Sequence, residues 1–336
     1  MPDSAAMQPP VPTPPLPSLP PASPMAPILR AAGLTMTYPG GTTALAGFTV
    51  DVPVGSVGLV GANGAGKTTL FRLMLGLMQP IGGWLEVTGR PVASDPVGIR
   101  SRLGYMPEHD CLPLDQTAAD IVATFGELAG LPARAARQRA SDMLDLVGLD
   151  EARFRPVGGF STGMRQRTKL AQALVADPQL VLLDEPTAGL DPLGREDMLE
   201  LVGRLAGFGI SAILATHLLD DVQRVCDHVV MIDRGRLVLA GPIDQLMQTS
   251  GVMRVELGGQ PAVGPTPAQA LVDALSTRGI GAALVDDHTV EVDTSGHGDA
   301  AFDAVRDLTA DLGLRLYALS TRHRSLDDVF MREAVR

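Results

Sequence analysis

The sequence is poor in cysteine, with only Cys111 and Cys226 in 336 residues. Two thiols cannot build a disulfide framework, so a reduced compartment is the simple reading. Long apolar runs are missing too. The stretch from Leu205 to Leu219 is uncharged, but Gly207, Gly209, Ser211, Thr216 and His217 interrupt it. It falls short of the roughly 18 apolar residues that a spanning helix needs. A membrane role must therefore come through a partner. No basic segment followed by an apolar block opens the chain, so no secretory signal is expected. Positive charge is scarce as well: 27 Lys and Arg stand against 38 Asp and Glu, a net charge of −11. That balance argues against a general nucleic-acid partner, because such binding draws its affinity from cations on phosphates.

What is present is unevenly distributed. Residues 1–27 hold 11 of the 27 prolines and a single charge, Asp3. Such a segment cannot repay the entropy of ordering and reads as a disordered, polyproline-like tail. A tail that docks on an SH3-type domain is the sharper alternative. From Ile28 to about Leu246 short apolar strands (Ser56 to Val60, Leu180 to Leu183, Ile213 to Ala215) alternate with helical stretches, an α/β pattern. Between them lies a mostly helical insert at about 109–164, with helical spacing over 117–129 and 133–147. Beyond Gly251 the texture changes. Strands are predicted at Val252 to Leu257, Ala282 to Val285, Val290 to Val292 and Leu314 to Leu319, with helices over 266–278 and 298–312. This predicts a small α+β domain over 251–336. Ser325 and Asp328 give the closing SLDDVFMREAV a capping-box-like helix start.

Residues 57–70 read VGLVGANGAGKTTL. A buried strand runs into Gly61-x-x-x-x-Gly66-Lys67-Thr68 and a helix follows, the required context of a phosphate-binding loop. Gly61, Gly64 and Gly66 let the backbone wrap a pyrophosphate, with Asn63, Ala65 and Thr69 in the same stretch. Lys67 would reach the β- and γ-phosphates, and the Thr68 hydroxyl would meet magnesium. Residues 180–186, LVLLDEP, form an apolar strand ending in two acids. Asp184 suits a magnesium ligand, and Glu185 suits a base that polarises an attacking water. A chance glycine turn and a solvated acidic turn are the plainer readings of these two stretches. Their co-occurrence disfavours both. A third stretch, FSTGMRQR at 160–167, places Ser161, Thr162 and Gly163 at a helix start, a second potential anion site.

Taken in order, these motifs resemble the nucleotide-binding domain of an ABC (ATP-binding cassette) ATPase over about residues 28–245. Tyr38 matches the aromatic that stacks on adenine. GYMPE at 104–108 matches the Q-loop, FSTGM the signature usually written LSGGQ, AGLD at 188–191 the D-loop, and His217 the switch histidine. The resemblance implies a P-loop NTPase fold with a RecA-like core and a helical subdomain, and ATP and Mg2+ as cofactors. It also implies a head-to-tail dimer of two copies. In that dimer Ser161 and the N–H groups around Gly163 face the partner's ATP, Thr162 and Asp191 belong to the nucleotide-binding set, and Lys67, Glu185 and His217 form the catalytic set. Thr68, Asp184 and Glu108 would face the metal.

Three positions depart from the family pattern. Thr162 replaces a glycine and needs a negative φ, Met164 replaces the usual glutamine, and Glu108 stands where glutamine is usual. The last adds negative charge beside ATP. Simpler roles exist for the smaller residues: Tyr38 as a surface aromatic, His217 as a helix-start histidine, and Arg134, Arg137 and Arg139 as a solvated face. His109 with Cys111, and Cys226 with His228, lack a second ligand pair at zinc spacing.

A single cassette without long heptads or zinc clusters resembles the ATPase subunit of a transporter with a separate membrane permease. STGMRQR and the terminal SLDDVF resemble bacterial multidrug and natural-product exporters. A peripheral place on the cytoplasmic face of the membrane follows. An ABC ATPase with a regulatory or mechanochemical role and no membrane partner is the alternative, and a nucleotide-sensing module without turnover is a third.

Overall fold

The computed structural model describes residues 27–248, 251–259, 265–294 and 296–322. The proline-rich tail, apart from Pro27, and the predicted last helix lie outside them. Along the chain come β1 (Leu29–Thr37), β2 (Thr43–Val52), β3 (Ser56–Val60), α1 (Lys67–Met74), β4 (Gly82–Val87), β5 (Arg90–Pro91), α2 (Pro96–Arg100) and β6 (Leu103–Met106). Helices α3 (Ala118–Leu128), α4 (Ala133–Leu146) and α5 (Thr162–Leu174) follow. Next are β7 (Leu180–Asp184), α6 (Pro192–Arg204), β8 (Ser211–Thr216), α7 (Leu219–Val225), β9 (His228–Asp233), β10 (Arg236–Pro242) and α8 (Ile243–Gln248). The remainder is β11 (Val252–Gly258), α9 (Pro267–Thr277), β12 (Ala282–Asp286), β13 (Thr289–Asp293), α10 (Asp299–Asp311) and β14 (Arg315–Arg322). The helices and strands expected over these spans form, with ends shifted by up to three residues.

The central sheet runs β10-β9-β3-β8-β7-β6, parallel except for the antiparallel edge strand β10. Strands β3, β7 and β8 are buried along their whole length, which is why they read as continuous apolar runs. Alternate residues point to opposite faces. Leu180 and Leu182, Ile213 and Ala215, and Val230 and Ile232 enter one core. Val181 and Leu183, Ala212 and Leu214, and Val229 and Met231 enter the other. The first core is closed by an antiparallel sheet, β2-β1-β4-β5, together with α1. The second receives Ile121 and Val122 of α3, Leu144 of α4, and Leu170 and Leu174 of α5.

The antiparallel sheet does not follow from the motif reading. Its trace in sequence is weak, because β2 buries only every second or third residue and β1 carries register shifts against both neighbours. A third sheet, β12-β13-β11-β14, packs α9 and α10 over a separate core of Met253, Val255, Leu271, Val290, Val305 and their neighbours.

Candidate active site

The chemistry gathers at the carboxyl ends of the parallel strands, where such sheets bind ligands. Strand β3 feeds Gly61, and the chain then turns back on itself through Ala65 N–H donating to Ala62 O. Two glycines are dictated by space. A Cβ on Gly61 would stand 2.3 Å from the Ile232 carbonyl oxygen, and one on Gly66, at φ 116°, would stand 2.6 Å from that of Ala44. Helix α1 starts with no side-chain cap and no acidic residue in its first turn. Its orphan N–H groups and the positive end of its dipole are left for an anion. Lys67, buried at 6% exposure, donates through Nζ to Gly61 O at 2.6 Å, which bends the lysine back over the loop.

A cleft of about 360 Å³ opens over this loop. Tyr38, Asn63, Gly64, Gly66, Lys67, Thr68, Thr69, Glu108, Asp184 and Glu185 of the expected set all line it. Gly61 and Ala65 are not in its lining and shape the loop from behind. Tyr38 rests its hydroxyl 3.1 Å from Thr69 Oγ1 and 3.7 Å from Met78 Sδ.

Asp184 ends β7 at 2% exposure and accepts from Thr68 Oγ1 at 3.1 Å and from the Tyr105 hydroxyl at 3.5 Å. Burial raises its pKa above the usual carboxylate range. The Thr68 hydrogen bond opposes this, and the charges of Glu108 and Glu185 add to it. Tyr105 is itself pushed up to about 12 by burial and by Asp184. Glu185 follows at φ 48°, a left-handed conformation uncommon for a non-glycine residue and typical of functional strain. Three groups hold its carboxylate: Lys67 Nζ at 3.5 Å, Thr216 Oγ1 at 3.3 Å and His217 Nδ1 at 3.1 Å. His217 thus touches the site through Glu185 and is otherwise half exposed, at 51%.

The donor set suits a hard divalent cation bound with a polyphosphate. A hydroxyl and carboxylates face one cleft, beside a lysine and a helix N-terminus. Among the described residues no three His, Cys, Asp or Glu cluster as a metal cage. Magnesium suits the hydroxyl and carboxylates of the cleft, because it is bound by one or two carboxylates and completes its sphere with other oxygens, those of phosphate and water included.

Ser161, Thr162, Gly163 and Asp191 are not in this cleft. They line a second one with Arg167, Gly189 and Leu190. Ser161 caps α5, accepting from Met164 N–H at 3.3 Å, and Asp191 caps α6, accepting from Gly194 N–H at 2.9 Å. Thr162 is the first residue of α5 and is absent from the positive-φ residues, so its Cβ is tolerated. Gly163 makes no tight turn. That glycine lies inside α5, and the nearest neighbour its Cβ would meet is 3.8 Å away. The fold of the chain itself does not require glycine at this position.

Several residues escaped the sequence reading. Tyr105 and Thr216 bind the two acids. Lys169, wholly buried on α5, donates to the carbonyls of Pro107 at 2.8 Å and Glu108 at 2.9 Å. Burial lowers its pKa. Thr187 donates to buried Asp221 at 2.7 Å, and Arg195 donates to the same carboxylate at 2.6 Å, tying the turn after Glu185 to α7. Helix α5 reads TGMRQRTKLAQAL, rich in other polar and basic residues, so its sequence does not set Lys169 apart.

The family model for ABC transporters matches residues 45–188. A daunorubicin resistance ATP-binding protein of Streptomyces coeruleorubidus is 33% identical over 293 residues, covering 87% of this chain and 91% of that protein. The chain is a member of the ABC transporter ATP-binding family. A Nod factor export ATP-binding protein I of Ralstonia nicotianae is 36% identical over 222 residues, covering 66% of this cassette chain and 69% of the relative. An uncharacterised ABC transporter ATP-binding protein of Nostoc is 39% identical, and the chain spans 59% of its length. Among solved structures, cbiO1 of Clostridium perfringens, part of the ABC transporter complex cbiONQ, superposes with a TM-score of 0.60 at 28% identity. That match covers 66% of this chain and 91% of cbiO1. The cassette is an ATPase that binds ATP with Mg2+. Among the described residues no helix is long and apolar enough to cross a membrane.

Proposed function

We propose that the chain is the ATPase subunit of an exporter, in which two copies close head to tail around two ATP and drive a separate transmembrane permease from the cytoplasmic face. The observation that carries the reading is the convergence of Lys67, Thr68, Asp184 and Glu185 on one cleft, with Glu185 braced by Thr216 and His217.

In this reading the loop N–H groups and Lys67 hold the β- and γ-phosphates, and Tyr38 stacks on adenine. Thr68, Asp184 and Glu108 would hold magnesium, which supplies charge neutralisation of the phosphates when bound. Glu185 orients a water and accepts its proton. His217 keeps that carboxylate in place and reaches the γ-phosphate. Ser161, Thr162, Gly163 and Asp191 serve the partner's nucleotide. The second cleft supports this, because it is separate from the first and holds a glycine that the chain's own packing does not need. Residues 251–336 form an accessory domain, supported by the separate core over β11, β13 and their helices. Export rests on the names of the resistance and Nod factor export relatives.

The test is a pull-down of tagged Glu185→Gln chain from detergent-solubilised membranes with ATP and magnesium. A polytopic membrane protein in equal amount is the expected result. Recovery of the chain as a dimer alone, with none in the membrane fraction, would favour an ABC ATPase without a permease.

A further inference from the structure

Helix α5 is built into both clefts, and one side chain makes the second connection. Its N-terminal residues Ser161 to Gly163 line one cleft. Two turns further on, Lys169 is completely buried. Its ammonium reaches the segment around Glu108, about 60 residues earlier, and donates to Pro107 O at 2.8 Å and Glu108 O at 2.9 Å, with His109 O at 3.5 Å. Arg165, one turn before, adds a contact from its Nε to Asp110 Oδ2 at 3.6 Å. Gln166 binds Ala188 O at 3.3 Å, in the turn after Glu185.

A buried ammonium is costly to desolvate, and a methyl or isobutyl group would fill the same core position of α5 without that cost. What the ammonium adds is geometry. Three successive carbonyls converge on one point, which leaves the backbone at 107–109 a single position. The Glu108 side chain leaves that backbone and lines the nucleotide cleft with Thr68 and Asp184.

We propose that Lys169 is a positioning residue that sets where the Glu108 carboxylate stands toward magnesium, and that it does so by clamping residues 107–109 to α5. Lys169 touches neither nucleotide nor metal in this scheme. It acts through Glu108 alone. The inference rests on the reading of the first cleft as the magnesium–ATP site.

A double-mutant cycle separates positioning from general structural support. Four chains, all carrying Glu185→Gln to prevent turnover, would combine Lys169 or Lys169→Met with Glu108 or Glu108→Gln. ATP affinity is measured by calorimetry with magnesium and again with a chelator, and the ratio is the magnesium gain. With Glu108 present, Lys169→Met should lower the gain about tenfold while ATP affinity in chelator stays within about twofold. With Glu108→Gln, the same change should lower the gain by less than about twofold. An equal fall in both backgrounds would show mere structural support and overturn the inference, as would no fall in either. If Lys169→Met does not melt cooperatively, Lys169→Gln, which keeps a donor, takes its place in the same cycle. A parent chain with no magnesium gain at all would refute the site reading itself, an outcome distinct from a normal parent with an uncoupled cycle.

Discussion

His217 meets Glu185 through Nδ1, which stands 3.1 Å from each of the two carboxylate oxygens. Lys67 Nζ and Thr216 Oγ1 contact the same carboxylate at 3.5 and 3.3 Å. Replacing the histidine removes one restraint and leaves the acid in place. His217→Ala should therefore lower turnover by about 10- to 100-fold with little change in ATP affinity, the pattern of a lost general-base support. Steady-state phosphate release and nucleotide titration check it.

Glu185→Gln keeps the volume and an acceptor for Thr216 but removes the proton acceptor. Turnover should fall more than about 100-fold, and ATP should then hold two copies together. Phosphate release and size-exclusion chromatography with ATP read the two effects. Hydrolysis near the wild-type rate would show that Glu185 is not the base.

Asp184 stands at a place where burial and two neighbouring acids oppose charge. Its folded pKa lies above the unfolded value, so the folded chain binds this proton more tightly. Its contribution to stability therefore falls as pH rises from the unfolded pKa to the folded one, and above that window it is a constant cost. Asp184→Asn should raise the melting temperature of the nucleotide-free chain by about 2–4 °C at neutral pH. The gain should shrink as pH falls into the carboxylate range, and magnesium-dependent ATP binding should be lost. Thermal melts at several pH values, with and without magnesium–ATP, test this.

Gly66 tolerates no side chain. Its φ of 116° and the Ala44 oxygen 2.6 Å from an added Cβ both act against alanine. Gly66→Ala should cost about 2 kcal/mol or more and abolish ATP binding. Gly163→Ala, free of both constraints, should leave the melting temperature within a degree or two yet weaken ATP-driven dimerisation. Urea unfolding and dimer titration in the Glu185→Gln background distinguish the two glycines.

Ser161→Ala removes the acceptor for Met164 N–H, so α5 should lose about 1 kcal/mol. The loss of ATP-driven dimerisation should be larger than that change in stability explains. The same titration reads it.

The local chemistry was legible in the sequence because it is written in short spacings. A strand, a glycine loop and a helix within 57–70 can serve few purposes other than phosphate binding, and an apolar strand ending in Asp184-Glu185 completes the set. The short apolar runs of β3, β7 and β8, alternating with helical stretches, announced an α/β pattern. What no spacing could reveal were contacts across the chain. Tyr105 and Asp184 are 79 residues apart, and Lys169 and the Pro107 carbonyl are 62 apart. Which strands flank β3, where the sheet of β1, β2 and β4 closes the core, and why Glu185 adopts a left-handed backbone were likewise decided by packing. Period and propensity act within a few residues. The clamp of Lys169 on the Glu108 segment exists only because the fold brings β6 and α5 side by side, where the buried ammonium meets the carbonyls of residues 107–109.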